Sequence, residues 1–574
     1  MVATDYIIIA VYFLGLIALG TLLGRNIKSS KEMFIAGKNS SWWLSGLSTY
    51  MTIFSASTFV VWGGVAYRSG VVAIVVGLML GVASLIIGKW IAGKWASMDI
   101  SSPAEYLGIR YGKPMINFFT ITGMIGKGFH TAVALYAVAV MAVVLMPLPE
   151  GSFFADPETG HLSVTWAILV LGVITLVYTT AGGFIAVLIT DLLQFAILMA
   201  MILIMIPMSF NAVGGIPEFI RNAPPAFFHL FTSQYSWVWM VLWLFLNVFM
   251  LGGDWAFVQR YISVPSIKDA KKTSYLVAAL YLVTPLFFYV PTLTYRLING
   301  NANPEQAYMM MSQFVLPAGM LGMMMAAMLS ATMSMASGNL NVYANVFTYD
   351  IYKQLRPKAD DRKLMRVGRT FTFLYGAFMT IVAILIPYLG GAEKVVVSLL
   401  TLVISPLFIP SIWGLYSKHI SQKNVFIAMG ITYVAALLTK SGVILHDFVS
   451  AHPEFTDAFI GLVFPVTFLA IFEIATRRGP LDPGWERLAV HYRNGEKVLT
   501  EEEKEKNKKA GSVYSNFAFN ILSGSYVAIG IVLLLLSIFN EGQHTILLIC
   551  GATFLGISLL ALGIREFVRR RKHC

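Results

Sequence analysis

Long apolar stretches recur along almost the whole chain and are separated by short polar loops. A membrane-crossing helix needs about 20 mostly apolar residues. The one sizeable polar stretch, 477–515, carries many charges of both signs and indicates a solvated connector. By the same pattern we predict about fifteen spans, at 5–24, 43–67, 70–94, 116–146, 163–182, 184–208, 237–258, 273–295, 314–350, 368–389, 394–416, 423–440, 457–475, 521–539 and 544–564. We therefore expect an all-α polytopic membrane protein.

The composition excludes most soluble classes. Of 574 residues, 57% are hydrophobic and 12% charged, against about 25% charged in soluble domains. This leaves too little polar surface for a soluble enzyme, and the bilayer becomes the expected solvent. Two cysteines, Cys550 and Cys574, exclude a disulfide scaffold and a clustered cysteine metal site. A net charge of +12 is explained by cytoplasmic Lys and Arg, so no nucleic-acid partner is expected.

The basic residues lie in alternate loops. Lys and Arg gather in 25–42, 259–272 and 351–369 and in the C-terminal tail, whereas 147–162 and 441–456 contain neither. Basic loops stay on the cytoplasmic side of a membrane. The pattern therefore predicts an odd number of spans in the plasma (inner) membrane, with the N-terminus outside and the C-terminus cytoplasmic.

Polar residues inside two spans predict interrupted helices. The second span holds Ser55 and Thr58, spaced i, i+3 on one face, and the seventh holds Asn247 followed by 252–254, which reads Gly-Gly-Asp. Each of these spans opens a run of five helices, and because five is odd the second run enters from the opposite face. Interrupted first helices in two inverted halves are typical of a transporter with a binding site at mid-membrane.

The ninth span carries a polar stripe. Ser330, Ser334, Ser337 and Asn341 follow i, i+4, i+7 and i+11, which places them along one helix face. Oxygen groups in such a row suit a hard cation such as sodium. The alternative is that small hydroxylated residues simply allow close helix packing.

Charged residues inside apolar helices need partners. In the sixth span, Asp191 shares a face with Gln194, and it would pair with a cation, a basic side chain or water. In the fourth span, Lys127 shares a face with His130. Lys127 is expected either to form a structural ion pair with Asp191 or Asp254, which we favour, or to hold an anionic substrate.

Three stretches give the chain a family resemblance. They are Gly182-Gly183 through Thr190-Asp191 to Gln194, then Gln259-Arg260-Tyr261 with Ser266, and finally Ala326 through Ser330 to Asp350 and Lys353. Together they resemble the sodium/solute symporter family, which includes sodium-coupled sugar, proline, sialic acid and iodide transporters. The resemblance runs from about residue 5 to residue 475.

The resemblance implies a five-plus-five inverted-repeat core of the leucine-transporter type with extra N- and C-terminal helices. The implied divisions are an extra helix and cytoplasmic loop (1–42), the first repeat (43–236), the second repeat (237–418), two further helices (419–476), a cytoplasmic connector (477–520), and a C-terminal helix pair with a basic tail (521–574).

The resemblance also implies where sodium binds. Backbone carbonyls would come from Met51, Phe54 and Ala331, and a hydroxyl from Ser334. The family's second hydroxyl ligand falls on Met335, whose thioether is a poor sodium ligand. A second sodium site in some members corresponds to Asp191 with Ser334 and Ser337, so the aspartate site is expected to carry more of the binding.

The expected solute is small and polar. Ser55, Thr58 and Asn247 fall where some members of the family contact substrate, and His130 is a further candidate. The sugar transporters' contact residues fall on Gly77, Tyr281 and Ser398, so the sugar pattern is mostly absent. With Lys127 near His130, a small organic anion is an alternative cargo.

The function that these features favour is sodium-coupled symport by alternating access. One alternative is a proton-coupled or sodium-independent transporter of a small organic anion. A transporter-derived membrane sensor would need an attached signalling domain, and the sequence ends soon after Arg571. A membrane enzyme would need clustered catalytic groups at membrane depth, and His446 and His452 lie in an outer loop without such company. A passive channel would transport without accumulation.

Overall fold

A computed structural model describes the chain as a bundle of helices. It describes residues 1–24, 40–98, 100, 102–181, 184–444, 446–495, 501–540 and 544–571. Most of the predicted basic loop 25–42, the Gly182-Gly183 pair of the signature and the last residues of the basic tail with Cys574 lie outside the described residues.

The first part of the bundle runs from the N-terminus to the loops before the second repeat. Its helices are α1 (Ala3–Gly24), α2 (Trp42–Ile53), α3 (Gly63–Ser69), α4 (Val72–Trp90), α5 (Ala92–Ala96), α6 (Pro103–Tyr111), α7 (Lys113–Val144), α8 (Val164–Ala181), α9 (Phe184–Ala212) and α10 (Ile216–Asn222). A π-helical segment, Thr58–Trp62, leads into α3, and a 3₁₀ turn, Pro225–Phe228, follows α10.

The part of the chain predicted to be the second repeat also begins with a bent helix pair. Its helices are α11 (Trp237–Gly253), α12 (Trp255–Ile262), α13 (Ile267–Val283), α14 (Pro285–Phe288), α15 (Val290–Ile298), α16 (Ala307–Val315), α17 (Met320–Val346), α18 (Lys353–Leu355), α19 (Asp361–Leu385), α20 (Ala392–Leu399) and α21 (Ser405–Trp413). Short π-helical or 3₁₀ segments, Phe347–Tyr352, Ile386–Leu389 and Leu400–Ile404, join some of them.

Six helices complete the chain. They are α22 (Gln422–Lys440), α23 (His446–Ala451), α24 (Pro453–Thr476), α25 (Pro483–Gly495), α26 (Glu501–Phe539) and α27 (His544–Arg571).

Every predicted span falls on a helix or a group of consecutive helices. Ten described helices are long and apolar enough to cross a membrane, and two bent pairs bring the number to twelve. Three predicted spans are not among these twelve. Those at 5–24 and 163–182 lie on shorter described apolar stretches, Ala3–Leu16 and Val164–Leu176, and that at 423–440 lies on α22. The run 314–350 is divided, because the chain leaves the helix after Val315 and re-enters it at Met320.

The extra helix α1 braces the start of α17. The buried Asp5 carboxylate accepts hydrogen bonds through Oδ1 from the backbone N–H groups of Gly319 (2.8 Å) and Gly322 (2.9 Å). These N–H groups lack helical partners at a helix N-terminus, where a negative charge is also favourable. A Cβ on Gly322 would lie 2.4 Å from the Asp5 carbonyl oxygen, so only glycine permits the contact.

The predicted connector packs against one end of the bundle. Arg110 of α6 is buried, and its Nη1 lies 2.7 Å from Oδ1 of Asp482, just before α25. Its Nη2 donates to the carbonyls of Ser417 (3.1 Å) and Ile420 (2.8 Å). The start of the connector therefore belongs to the packed structure, fastening α6 to the chain that follows α21.

Candidate functional site

The structure confirms the predicted interruption of the second span. Helix α2 ends at Ile53, Phe54 is extended (φ −80°, ψ 136°), and the helix beyond is bent by 58°. Serine side chains satisfy one another in the gap, since the Ser55 and Ser57 hydroxyls are 2.6 Å apart. The Ala56 N–H donates to Thr332 Oγ1 of α17 at 3.3 Å. Unpaired backbone at membrane depth is thus satisfied by a neighbouring helix.

The seventh span is interrupted in the same way. Helices α11 and α12 meet at an angle of 55°, with Asp254 extended between them. Its Oδ1 caps α12 by accepting from Ala256 N at 3.0 Å. Helix α21 packs directly on the break, because a Cβ on Gly253 would lie 2.9 Å from the Phe408 Cβ.

A cavity of about 70 Å³ lies beside the two breaks. Its polar lining consists of Thr52, Ser57, Thr58, Lys127, His130, Asn247, Tyr281 and Tyr289, and its apolar aromatic lining of Trp62, Trp243, Phe257 and Phe288. Three predicted solute contacts, Thr58, Asn247 and His130, line it together. Ser55 is outside the lining, and its hydroxyl instead bonds to Ser57, which does line it.

A tight buried ion pair borders the cavity. Lys127 Nζ lies 2.6 Å from Asp254 Oδ2, and the two side chains are 3% and 1% exposed. Of the two acidic partners considered from the sequence, the structure selects Asp254. Lys127 lines the cavity, whereas Asp254 does not.

A second, looser arrangement surrounds Asp191. Its Oδ1 accepts from the Ser334 hydroxyl at 2.6 Å, and its Oδ2 accepts from the Ser48 hydroxyl. Arg260 Nη2 lies 3.7 Å from Oδ2, and both side chains are fully buried. The other two nitrogens of the Arg260 guanidinium donate to other groups, Nε to Ser48 Oγ (2.9 Å) and Nη1 to the Ala256 carbonyl (2.6 Å).

This cluster of Asp191, Ser48, Ser334 and Arg260, called the aspartate cluster below, is close to the cavity. The Ser48 carbonyl accepts from Thr52 Oγ1 at 2.8 Å, and Thr52 lines the cavity. The cluster joins α2, α9, α12 and α17.

Comparison with known proteins decides the family. Residues 33–431 match the model of the sodium:solute symporter family. The chain belongs to this family. It is therefore a multi-pass membrane transporter and not an enzyme.

Several members of the family align over most of their length. The chain is 29% identical over 392 residues to the sodium/sialic acid symporter NanT of Aliivibrio fischeri, covering 65% of this chain and 74% of that one. It is 24% identical over 522 residues to the sodium/glucose cotransporter of Vibrio parahaemolyticus, covering 83% and 92%. It is 26% identical over 502 residues to the human sodium/myo-inositol cotransporter 2, covering 78% and 71%.

A solved structure of the family shares the fold. The outward-open, substrate-bound state of a Na⁺-coupled sialic acid symporter superposes with a TM-score of 0.69 at 22% identity, covering 84% of this chain and 99% of that one. This likeness supports the leucine-transporter-type architecture predicted from the sequence.

The symporter's predicted sodium ligands fall into two groups. Ser334 bonds to Asp191, whereas the Ser337 hydroxyl donates to the Ser334 carbonyl at 3.1 Å. Met51, Phe54 and Ala331 are fully buried near the first break. Because α2 ends at Ile53, the carbonyl of Met51 lies in a last turn that lacks helical donors.

The polar stripe is shared between two neighbours. Ser330 donates to the Ala326 carbonyl at 2.6 Å and hydrogen-bonds with Tyr12 of α1. Gln194, one turn beyond Asp191, is fully buried, and its amide atoms have no hydrogen-bond partner among the described residues.

Sequence reasoning missed most of the aromatic wall. Trp243 lies four residues before Asn247 and Trp62 four residues after Thr58, a spacing that places each pair on one helix face. Gly77 and Tyr281, where the sugar transporters' contacts fall, also line the cavity. Ser398 does not, and its hydroxyl donates to Asp457 at 2.9 Å.

Proposed function

We propose that this symporter couples the inward movement of sodium to the uptake of a small polar organic solute by alternating access. Sodium is held at the aspartate cluster, with the carbonyls of Met51, Phe54 and Ala331 and the neighbouring Ser337 completing its surroundings. The solute occupies the cavity beside Thr58, Asn247 and His130, with Ser55 and Ser57 behind its wall.

The observation that carries the proposal is the oxygen set around Asp191. The Asp191 carboxylate accepts hydrogen bonds from two hydroxyls, those of Ser48 and Ser334, and all three side chains are fully buried. Hydroxyl and carboxylate oxygens suit a hard cation. Arg260 is present to offset the carboxylate, but at 3.7 Å it is farther away than the cation of a tight pair, which leaves the carboxylate able to share its charge.

Coupling follows from the helices that the site joins. Ser48 belongs to α2, which ends at the first break, and Ser334 belongs to α17, which packs on that break through Thr332. An ion held between them favours the conformations in which the break and the cavity wall are ordered. It can drive transport only through that difference in affinity between conformations. The membrane potential adds about 2.3 kcal/mol per charge per 100 mV.

We further propose that the N-terminus faces outside and that the protein resides in the plasma (inner) membrane. The Met1 amine lies 3.5 Å from the Leu145 carbonyl, at the end of the bundle that carries the acidic loop 147–162. Arg110 lies at the opposite end, just before the start of α7, and α12, with which the basic segment 259–272 begins, packs against its helix α6. This distribution supports a cytoplasmic C-terminus.

Radiolabelled uptake into proteoliposomes tests the proposal. Sugars, carboxylates and amino acids are screened with an inward gradient of sodium or of choline. Asp191→Asn and Ser334→Ala should each reduce sodium-dependent uptake at least about ten-fold, as expected for lost bonds to a buried charge of about 1.5–3 kcal/mol. Ser330→Ala is the matched control, because this serine of the same stripe bonds to Tyr12.

Two results would contradict the proposal. Normal sodium-dependent uptake by both Asp191→Asn and Ser334→Ala would show that sodium does not bind at the aspartate cluster. Uptake that persists in choline and follows a pH gradient would favour proton coupling. The observation that supports this alternative is Met335, which stands where the family has a second hydroxyl ligand for sodium.

A further inference from the structure

The charged groups that reach the cavity are not balanced in sign. Among the described residues, Lys127 lines it, and no carboxylate does. The partner of Lys127, Asp254, lies behind it and uses its other oxygen to cap α12. A solute in the cavity therefore meets the ammonium side of this pair.

Two polar atoms in the same wall have no hydrogen-bond partner among the residues that the structure describes. His130 Nδ1 and Trp243 Nε1 are buried and make no hydrogen bond within the described part of the chain. Trp243 is 3% exposed, and its indole nitrogen can only donate. Buried donors without acceptors are costly, so a solute that brings acceptor atoms is favoured.

The four buried charges around the site also bear on the cargo. Asp191 with Arg260 and Lys127 with Asp254 sum to zero net charge. A sodium ion adds one positive charge to this low-dielectric region, and an uncompensated buried charge is strongly unfavourable. A solute with one negative charge restores neutrality, whereas a neutral solute does not.

The rest of the wall is apolar and aromatic. Trp62 and Trp243 meet edge to face with ring centroids 5.3 Å apart, and Phe257 and Phe288 extend the same surface. Such rings favour a solute that brings apolar surface to be buried against them.

We propose that the cargo of this cavity is a small monocarboxylate with an apolar body. Its carboxylate is held by Lys127 with donation from Trp243 and His130, and it is carried together with sodium. This inference rests on the proposed function, since sodium at the aspartate cluster supplies the charge that the carboxylate balances. A neutral sugar or polyol is the competing outcome.

The test uses thermal unfolding of the purified full-length protein in detergent, in sodium chloride or choline chloride. Butyrate and benzoate are the carboxylate probes, and butyramide and benzamide are their neutral counterparts. In sodium, the carboxylates should bind at least about ten-fold more tightly than the amides, and in choline this preference should be lost. A bound ligand raises the unfolding midpoint by mass action.

A double variant separates recognition from folding. Lys127→Gln with Asp254→Asn replaces the ion pair by a neutral pair and leaves no uncompensated charge. It should keep the stabilisation by sodium alone and lose the ten-fold preference for carboxylates. The matched control is Lys440→Gln with Asp457→Asn, which neutralises an ion pair of 2.7 Å outside the cavity and should change neither response.

Each failure has its own signature. The anion proposal is overturned if sodium stabilises the protein but amides, glucose or myo-inositol bind as tightly as the carboxylates. It is also overturned if no carboxylate binds in sodium, or if the Lys127–Asp254 double variant keeps the preference. If sodium itself gives no stabilisation over choline in the wild type, the proposed sodium coupling fails instead.

Discussion

Two buried ion pairs lie next to the same cavity, and they are built differently. Lys127 and Asp254 are 2.6 Å apart, and one Asp254 oxygen is committed to the backbone of α12. Asp191 and Arg260 are 3.7 Å apart, and each makes additional hydrogen bonds to hydroxyl or carbonyl groups. In the first pair the two charges are in direct contact and neutralise each other. In the second pair the Asp191 carboxylate is only partly neutralised by Arg260.

The two ion pairs differ in how much stability depends on keeping both partners. Removing one partner of a buried pair costs about 3–5 kcal/mol, because the other charge is left uncompensated. That cost is greatest where no other group is close. The Asp191 carboxylate accepts hydrogen bonds from Ser48 and Ser334, and on the sodium site proposed above we expect it to accept another cation as well. We expect substitutions in the two pairs to have different effects. Changes at Lys127–Asp254 should mainly lower the stability of the protein, and changes around Asp191 should mainly weaken its response to sodium.

The largest effect is expected from Lys127→Gln alone. It leaves the buried Asp254 carboxylate without its counter-charge at 2.6 Å and should destabilise the protein by about 3–5 kcal/mol. Thermal unfolding in detergent measures the loss, and adding Asp254→Asn should recover most of it. Lys440→Gln is the control, because Lys440 is 35% exposed and its loss should cost less. A midpoint unchanged by Lys127→Gln would show that the tight pair is not needed.

Ser334→Ala should act on the other pair. It removes the 2.6 Å hydrogen bond to Asp191 and an oxygen of the proposed sodium site. The sodium concentration that gives half-maximal stabilisation should rise at least about ten-fold, because a hydrogen bond to a charged group contributes about 1.5–3 kcal/mol. Ser330→Ala should leave that concentration near the wild-type value. Equal shifts in the two variants would assign the effect to helix packing.

Ser337→Ala should have the smallest effect. Its hydroxyl donates to the Ser334 carbonyl and not to Asp191. We therefore expect the sodium concentration for half-maximal stabilisation to change about two- to three-fold, the lower end of the about 0.5–1.5 kcal/mol of a neutral hydrogen bond. The same titration measures it. A loss as large as that of Ser334→Ala would make Ser337 a direct ligand and would restore the full stripe as the sodium site.

Much of this architecture was predictable from the sequence because it follows from local pattern. Ser55 to Thr58 and the Gly-Gly-Asp segment mark both breaks by composition, and an interrupted helix at depth needs such residues. The position of Asp191 in an apolar helix indicates a buried charge that needs a partner. Thr58 directly follows the first break, and Asn247 lies within α11 before the second, so their convergence on the cavity follows from the inverted repeat.

The choice of partners was not predictable, because it depends on how distant helices rotate. Lys127 and Asp254 are far apart in the chain, and two acidic partners were compatible with the sequence. The stripe on α17 divides because α1 packs against it near Ser330 and leaves Ser334 to face Asp191. Ser55 turns toward Ser57 because the extended backbone at Phe54 ends the helical periodicity.

Direct binding of radioactive sodium to the purified protein tests the central claim most directly. The wild type should show saturable binding, Asp191→Asn should weaken it at least about ten-fold, and the double variant Lys127→Gln with Asp254→Asn should keep it. Sodium binding that is unchanged by Asp191→Asn, or that is lost only when the Lys127–Asp254 pair is neutralised, would contradict the account.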